Sequence, residues 1–350
     1  MPEREPARVN AGGRGALPMA VALALGGLLG ARALIRARRS YDLRGKVVLI
    51  TGGSRGLGLV LSREFARRGS RVAICARDAD ELERARLDLE GRGARVLALA
   101  CDVTDRAQVE TLARDLTAQW GSIDVLVNDA GVIQVGPLDT LTREDYEDAM
   151  RTHFWGPLNT IMAVLPQMRA RREGRIVNIS SIGGKISVPH LLPYSASKFA
   201  LTGLSEGLRA ELARENVLVT TVCPGLMRTG SPRNAQFKGK HRAEYAWFSI
   251  ADATPVLTTS AESAARRIVD ACRNGDAELT FPLLTTLAVG FHGLFPGVTA
   301  DILGQANRAL PDADGAGTGR VRGAESQSKL SPSPLTTLGD RAAARNNELG

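Results

Sequence analysis

Short, almost wholly apolar runs recur along the middle of the chain: Val47–Thr51, Val72–Ala76, Val96–Ala100, Val125–Asn128, Ile176–Ser180 and Leu218–Cys223. Between them lie stretches with helical periodicity, at about 57–68, 79–91, 105–120, 142–171 and 194–215. Their outward faces are densely charged, as in Asp78-Ala79-Asp80-Glu81-Leu82-Glu83-Arg84. A strand apolar on both faces must be covered on both, and parallel strands need a crossover of a dozen or more residues. The alternation therefore predicts βαβ units, and with them an α/β fold: one domain built on a doubly wound, Rossmann-like parallel sheet. Right-handed crossovers put ligand sites beyond the carboxyl ends of the strands.

The rhythm begins after Asp42-Leu43-Arg44-Gly45. Before it, Gly15 to Ala31 are 17 residues without a charge, bounded by Arg14 and by Arg32, Arg36, Arg38 and Arg39. As a helix this stretch would be about 25 Å long, short of a ~30 Å hydrocarbon core unless the arginines snorkel. Three readings stay open. One is a transmembrane helix that leaves the following domain on the cytoplasmic side. Another is a helix lying in the interface. The last is a cleaved signal, which Ala31-Arg32-Ala33 imitates, or no membrane role.

Residues 225–259 form a long irregular insert, a candidate substrate loop, before a helix at about 260–274 and a last strand near 277–281. From Leu279 to Ala300 another 22 residues lack formal charge, but Pro282 and Pro296 confine any straight helix to 13 residues between them. A packed or oligomer-interface helix is expected there, in a homo-oligomer; a second membrane contact is the alternative. Beyond Pro311, Gly, Ser, Pro and charge predict a mobile tail. The expected division is a basic, apolar segment 1–43, the sheet domain 44–282, an apolar extension 283–310 and a disordered tail 311–350.

Charge narrows the partners. The formal net charge is +8, but residues 1–46 hold nine basic and three acidic side chains, so the remaining 304 carry only +2. Only 15 of 350 residues are aromatic and none is interleaved with a basic run, which excludes a stacking platform for nucleic acid. Cys75, Cys101, Cys223 and Cys272 show no C-x-x-C pairing and read as buried thiols in a reducing compartment. No His, Cys or carboxylate cluster has metal-ligand spacing, so no metal is expected.

The first strand runs into Thr51-Gly52-Gly53-Ser54-Arg55-Gly56-Leu57-Gly58, which opens a helix. Glycines at 52, 56 and 58 let the backbone turn sharply and let a pyrophosphate approach the free N–H groups of the helix N-terminus. Tyr194 and Lys198 are four apart on a predicted helix, so both project from one face. A phenol of pKa about 10 is a poor acid–base group near pH 7, and a neighbouring ammonium favours its phenolate. Ser181, 13 residues upstream at the end of the fifth strand, can donate to a substrate carbonyl oxygen as charge builds there.

With this glycine spacing and the trio in order, the chain resembles the short-chain dehydrogenase/reductase (SDR) family over roughly residues 44–282. Further motifs fit the resemblance. Asp102-Val103 matches the adenine-contacting pair, and Asn128-Asp129-Ala130-Gly131 matches Asn-Asn-Ala-Gly with Asp129 a departure. Pro224-Gly225 followed by Thr229 matches the segment that clasps the nicotinamide end. The resemblance implies that Tyr194 passes a proton, that Lys198 also holds the nicotinamide ribose, and that the cofactor supplies a hydride. Gly52, Ser54, Arg55, Gly56, Leu57 and Gly58 would bind it with Ala130 and Gly131. It also argues against export, which would carry the domain to a place poor in that cofactor.

The end of the second strand reads Cys75-Ala76-Arg77, with no carboxylate before Arg77 to hold a ribose 2′-hydroxyl. Arg77 and Arg55 instead suit a 2′-phosphate, so NADP(H) is expected over NAD(H). The insert carries Phe237, Tyr245, Trp247 and Phe248, with Arg228, Arg233, Lys238, Lys240 and Arg242 against Glu244. That mixture suggests a lipophilic carbonyl or alcohol substrate, with an acidic head group or an anionic membrane surface nearby. His153 stands where the family usually has an asparagine of the proton relay; as a relay member it would add a pH-sensitive limb to the rate. His190 reads as a solvated loop residue. The expected function is an NADP(H)-dependent carbonyl/alcohol oxidoreductase at a membrane; the alternative is a non-catalytic dinucleotide-binding sensor or scaffold.

Overall fold

The computed structural model describes residues 16–349 apart from 256, 314 and 316. Positions 1–15, with Arg4, Arg8 and Arg14 of the expected basic segment, lie outside the described residues. Seven strands form one parallel sheet: β1 (Val47–Thr51), β2 (Arg71–Ala76), β3 (Val96–Ala100), β4 (Val125–Asn128), β5 (Gly174–Ile179), β6 (Val217–Pro224) and β7 (Glu278–Phe281). Their order across the sheet is β7-β6-β5-β4-β1-β2-β3. The order reverses at β1 and β4, where Thr51 pairs with Asn128, and the crevice beyond that edge is where such sheets hold ligands.

Successive side chains of a strand point to opposite faces, so each continuous apolar run serves two cores. Val48 and Ile50 of β1 pack with Leu59, Phe65, Ile268 and Val269, while Val47 and Leu49 pack with Leu112, Leu116, Ile161 and Val164. The first layer is α2 (Gly56–Arg67), α3 (Ala79–Gly91) and α9 (Ala261–Asn274). The second is built on α4 (Arg106–Trp120) and α6 (Gly156–Arg171), with α7 (Leu192–Glu211) beyond β5. The predicted helix at 142–171 is α5 (Arg143–Met150) joined to α6 through one π turn, Arg151–Trp155. All four cysteines are buried and free.

The chain's ends depart from expectation. The helix α1 (Ala16–Arg39) is longer than the uncharged stretch, and its last turn is already tied to the domain. Arg36 pairs with Asp276 at 2.8 Å, and the Arg39 carbonyl accepts from Arg175. Leu43 belongs to the core. Among the described residues no helix is long and apolar enough to cross a membrane. After β7, α10 (Leu283–Leu294) fits between the two prolines as expected, and α11 (Pro296–Asn307) folds back on it. This hairpin is not packed away: Leu283, Leu287, Leu294 and Ile302 are 55–76% exposed.

The tail expected to be disordered is instead docked. Val321–Arg322 pairs antiparallel with Gln236–Phe237 of the insert, and α12 (Thr337–Arg345) lies against α8 (His241–Ala253). Small residues make this possible. Ala342 and Ala343 are buried, and a Cβ on Gly230 would come within 2.4 Å of the Ala343 Cα.

The insert's aromatics are likewise satisfied within the fold. Phe237, Tyr245 and Phe248 form a small core with Val135, Leu191 and Ala235. Lys238 is buried and paired with Asp145 at 2.5 Å, and Arg228 turns toward Thr258. Neither of these two cations faces an acidic ligand, contrary to the expectation from charge alone.

Candidate active site

A cleft of about 660 Å³ opens beyond the carboxyl ends of the strands. Its floor is the glycine turn. Gly52 has φ +69°, and a Cβ there would lie 2.8 Å from the Ala130 Cα. A Cβ on Gly58 would meet the Gly52 carbonyl oxygen at 2.2 Å. Only glycines let the turn fold this tightly. The first turn of α2 carries no acidic residue, and its Ncap residue Arg55 makes no side-chain cap. No side chain of the helix itself caps these amides, and the Gly56 amide donates instead to the Asn346 carbonyl at 2.9 Å.

Gly52, Ser54, Arg55, Gly56 and Leu57 line the cleft, as do Arg77, Asp102, Val103, Ala130, Gly131, Pro224, Gly225 and Thr229. Two expected residues do not. Gly58 lies beneath Gly52, and Asn128 is turned inward, donating to Asn178 Oδ1 at 2.9 Å and accepting from Thr160 at 2.7 Å. Asn128 stitches β4 to β5 and α6. Asp102 Oδ1 accepts from the Thr104 amide and hydroxyl, so its carboxylate closes a turn. Arg55 pairs with Glu81 at 2.7 Å, whereas Arg77 is exposed at the end of β2.

Ser181, Tyr194 and Lys198 meet at one end of the cleft. Ser181 follows β5 directly, and its Oγ accepts from the Gly183 amide at 3.0 Å. The Ser181 hydroxyl is hydrogen-bonded to the Tyr194 phenol. Burial pushes that phenol up to about 12, and the Ser181 bond opposes the shift. Burial pulls the Lys198 ammonium down to about 8, partly offset by Asp129. Lys198 Nζ donates to the Ile179 carbonyl at 2.7 Å and stands 5.6 Å from the Tyr194 ring centre. For Tyr194 the desolvation therefore outweighs the lowering expected from the lysine.

Asp129, the departure from the family pattern, lines the cleft half-buried beside Gly58, and burial raises its carboxyl to about 8 against the pull of Lys198. The spacing flagged this residue but did not reveal the shift. Glu81 and Asn234 also line the cleft, unforeseen because they sit outside the matched motifs, and Met227 lines it from between Gly225 and Thr229.

His153 lies in the π turn, edge-on to Tyr194 with ring centres 5.3 Å apart. The Val132 amide donates to its Nε2 at 3.1 Å, which leaves the proton on Nδ1, 2.8 Å from Ser197 Oγ. The Ser197 hydroxyl in turn donates to the Tyr194 carbonyl. Both ring nitrogens are thus engaged, neither with Lys198. Burial, then the charge of Lys198, holds the imidazole well below its usual pKa, which moves any acid limb it adds to the rate to lower pH. Its two bonds tie the turn after β4 to the helix that carries Tyr194.

The titration of His153 should also appear in stability. Below about pH 6.5 the unfolded imidazole binds a proton that the folded one refuses, so stability falls as pH drops through that range. His153→Asn should flatten this acid-side loss in urea titrations between pH 7 and 5. An unchanged slope would show that His153 is not held neutral. His190 is also not solvated: it is buried at φ +63°, 2.9 Å from Glu244.

The arrangement has counterparts among known proteins. A family model described as short chain dehydrogenase matches residues 46–238. A dehydrogenase/reductase SDR family protein 7-like of Anopheles gambiae is 40% identical over 204 residues, which take in 57% of this chain and 64% of that protein. Dehydrogenase/reductase SDR family member 7B of Mus musculus is 32% identical over 285 residues, 79% of this chain and 85% of that one. Among solved structures, an actinorhodin polyketide ketoreductase with NADPH aligns with a TM-score of 0.61 at 30% identity, covering 69% of this chain and 97% of its own. The chain belongs to the short-chain dehydrogenase/reductase family and is an NAD(P)-dependent oxidoreductase.

Proposed function

We propose that the protein interconverts a carbonyl and an alcohol on a lipophilic substrate, using NADP(H), with Tyr194 as proton donor and acceptor. The observation that carries this reading is the meeting of the Ser181 hydroxyl, the Tyr194 phenol and the Lys198 amine at the end of a glycine-floored cleft. The residues present fit a dinucleotide: the start of α2, uncapped by its own side chains, suits a pyrophosphate, and Gly52 and Gly58 admit no side chain above them. Ala130, Gly131, Pro224, Gly225 and Thr229 would hold the rest, with Lys198 on the nicotinamide ribose. When bound, the dinucleotide supplies or accepts a hydride.

The protein's part is the proton. A phenol raised by burial is protonated at pH 7, the form that reduction needs, and it gives its proton to the substrate oxygen. Ser181 donates a hydrogen bond to the same oxygen as negative charge develops. Oxidation needs the phenolate, which the ammonium of Lys198 and the Ser181 hydrogen bond favour.

Val132, Ile133, Met227 and Ala235 give the cleft an apolar wall. The exposed hairpin α10–α11 starts beside it, since a Cβ on Gly225 would touch Thr285. This supports a substrate delivered from a membrane surface. The relative solved with NADPH and the exposed Arg77 support NADP(H).

The test compares kcat/KM for long-chain ketones in phospholipid vesicles with small polar carbonyls, using NADPH and NADH. Expected are faster turnover of the long-chain ketones and a preference for NADPH. Arg77→Asp should cut that preference by about 10–100-fold, the worth of one charge-assisted contact to phosphate. Equal use of both cofactors, unmoved by Arg77→Asp, or turnover confined to polar carbonyls would refute the reading.

A further inference from the structure

The last residues of the chain enter the cleft from outside and occupy its anion-holding end. The Gly56 amide, at the start of α2, donates to the Asn346 carbonyl at 2.9 Å. Asn347 Nδ2 donates to the carbonyls of Ser54 and Glu81 at 2.8 and 3.0 Å. Asn346 Nδ2 reaches across to the Thr229 carbonyl at 3.1 Å, so one strand of chain ties the glycine turn to the insert.

Glu348 completes the intrusion. Its carboxylate lies 3.6 Å from Arg55 Nε and 2.5 Å from Asn234 Nδ2, and it lies 2.6 Å from the site a Gly56 Cβ would take. It is 4% exposed and lines the cleft. A carboxylate over a helix N-terminus, beside a guanidinium, has the chemistry of a phosphate.

We propose that residues 337–349 are an autoinhibitory strap, in which the Asn346 carbonyl and the Glu348 carboxylate stand in for a dinucleotide's phosphates until the dinucleotide displaces them. The proposal rests on the cofactor reading above. One amide cannot serve both the Asn346 carbonyl and a pyrophosphate. Burial raises the Glu348 carboxyl to about 7, and in its ionised form it and a phosphate in one enclosed cleft repel more strongly than in water. The strap is built to leave. Its apolar hold is little more than Ala342 and Ala343, and the chain leading into it exposes Lys329, Leu330, Pro334 and Leu335.

The apparent affinity for a dinucleotide is the intrinsic one reduced by the fraction of molecules with the cleft open. If the strap is closed in about nine molecules of ten, displacing it should tighten binding about tenfold. The test measures NADPH and NADH affinity by nicotinamide fluorescence in the full chain and two variants. Ala343→Arg cannot seat against Gly230 and should bind NADPH about tenfold more tightly. Glu348→Gln removes only the charge and should bind several-fold more tightly, keeping the test open should Ala343→Arg misfold.

In the unaltered chain, NADPH should also speed trypsin cleavage after Arg345. Equal or weaker binding in the folded variants, or protection of Arg345 by NADPH, would overturn the strap and make the tail a clamp on bound dinucleotide. No binding of either dinucleotide by any of the three chains would overturn the cofactor reading and the strap together. That outcome is distinct from equal, measurable affinities, which overturn the strap alone.

Discussion

Replacing Tyr194 by phenylalanine should lower kcat by about 10²–10⁴, the usual worth of a positioned general acid. The ring would stay. It is half-buried, packs edge-on to His153 and needs no hydroxyl for that contact. What is lost is the hydroxyl that accepts from Ser181, and with it the proton for the substrate oxygen. Dinucleotide affinity should change by no more than about twofold, because a group acting only in the transition state leaves ground-state binding alone. Stopped-flow hydride transfer with NADPH, beside fluorescence titration, separates the two quantities. A variant that keeps its rate would remove Tyr194 from the chemistry. One that loses rate and affinity together would show that the phenol holds cofactor rather than moving a proton.

A valine at Gly52 should abolish measurable dinucleotide binding while leaving most of the sheet folded. The residue sits at φ +69°, where a β-branched side chain is a genuine outlier. Its Cβ would also fall 2.8 Å from the Ala130 Cα, backbone that cannot swing aside. Relief requires the turn to move away from β4, which displaces the amides of α2 by a fraction of an ångström or more. Strain of this kind costs about 1–3 kcal/mol, and the overpacking adds a similar amount. The expected result is a helical and sheet circular dichroism spectrum close to that of the parent, a lower Tm, and an NADPH affinity weaker by at least about 100-fold, nearly 3 kcal/mol. Retained affinity would mean that the glycine turn is not where the phosphates lie.

The sheet was legible because its signal is redundant. Each strand carries apolar residues on both faces, and each is followed by a helix long enough to cross back. The trio was legible for a related reason: Tyr194 and Lys198 are neighbours on one helix, and Ser181 ends a strand. Three features escaped because burial, not spacing, decides them. Asn128 looked like a cleft residue, yet its amide is consumed by Asn178 and Thr160. His153 promised a titrating relay, yet both nitrogens are bonded and the imidazole is held neutral.

The tail was the largest miss. Polar, Gly- and Ser-rich chain cannot build a core of its own, but Ala343 needs only the notch above Gly230 to dock. The asparagines then bond to backbone carbonyls that no sequence pattern marks.

The central claim, that this cleft reduces a lipophilic carbonyl by hydride and proton transfer, is tested most directly by following the label. The full chain is incubated with NADPH deuterated at nicotinamide C4 and a panel of long-chain ketones, and the products are read by mass spectrometry. The expected result is one deuterium at the carbinol carbon of at least one product, formed at least about 100-fold more slowly by Tyr194→Phe. Unlabelled products, or no product from any ketone by a protein that binds NADPH, would contradict the claim.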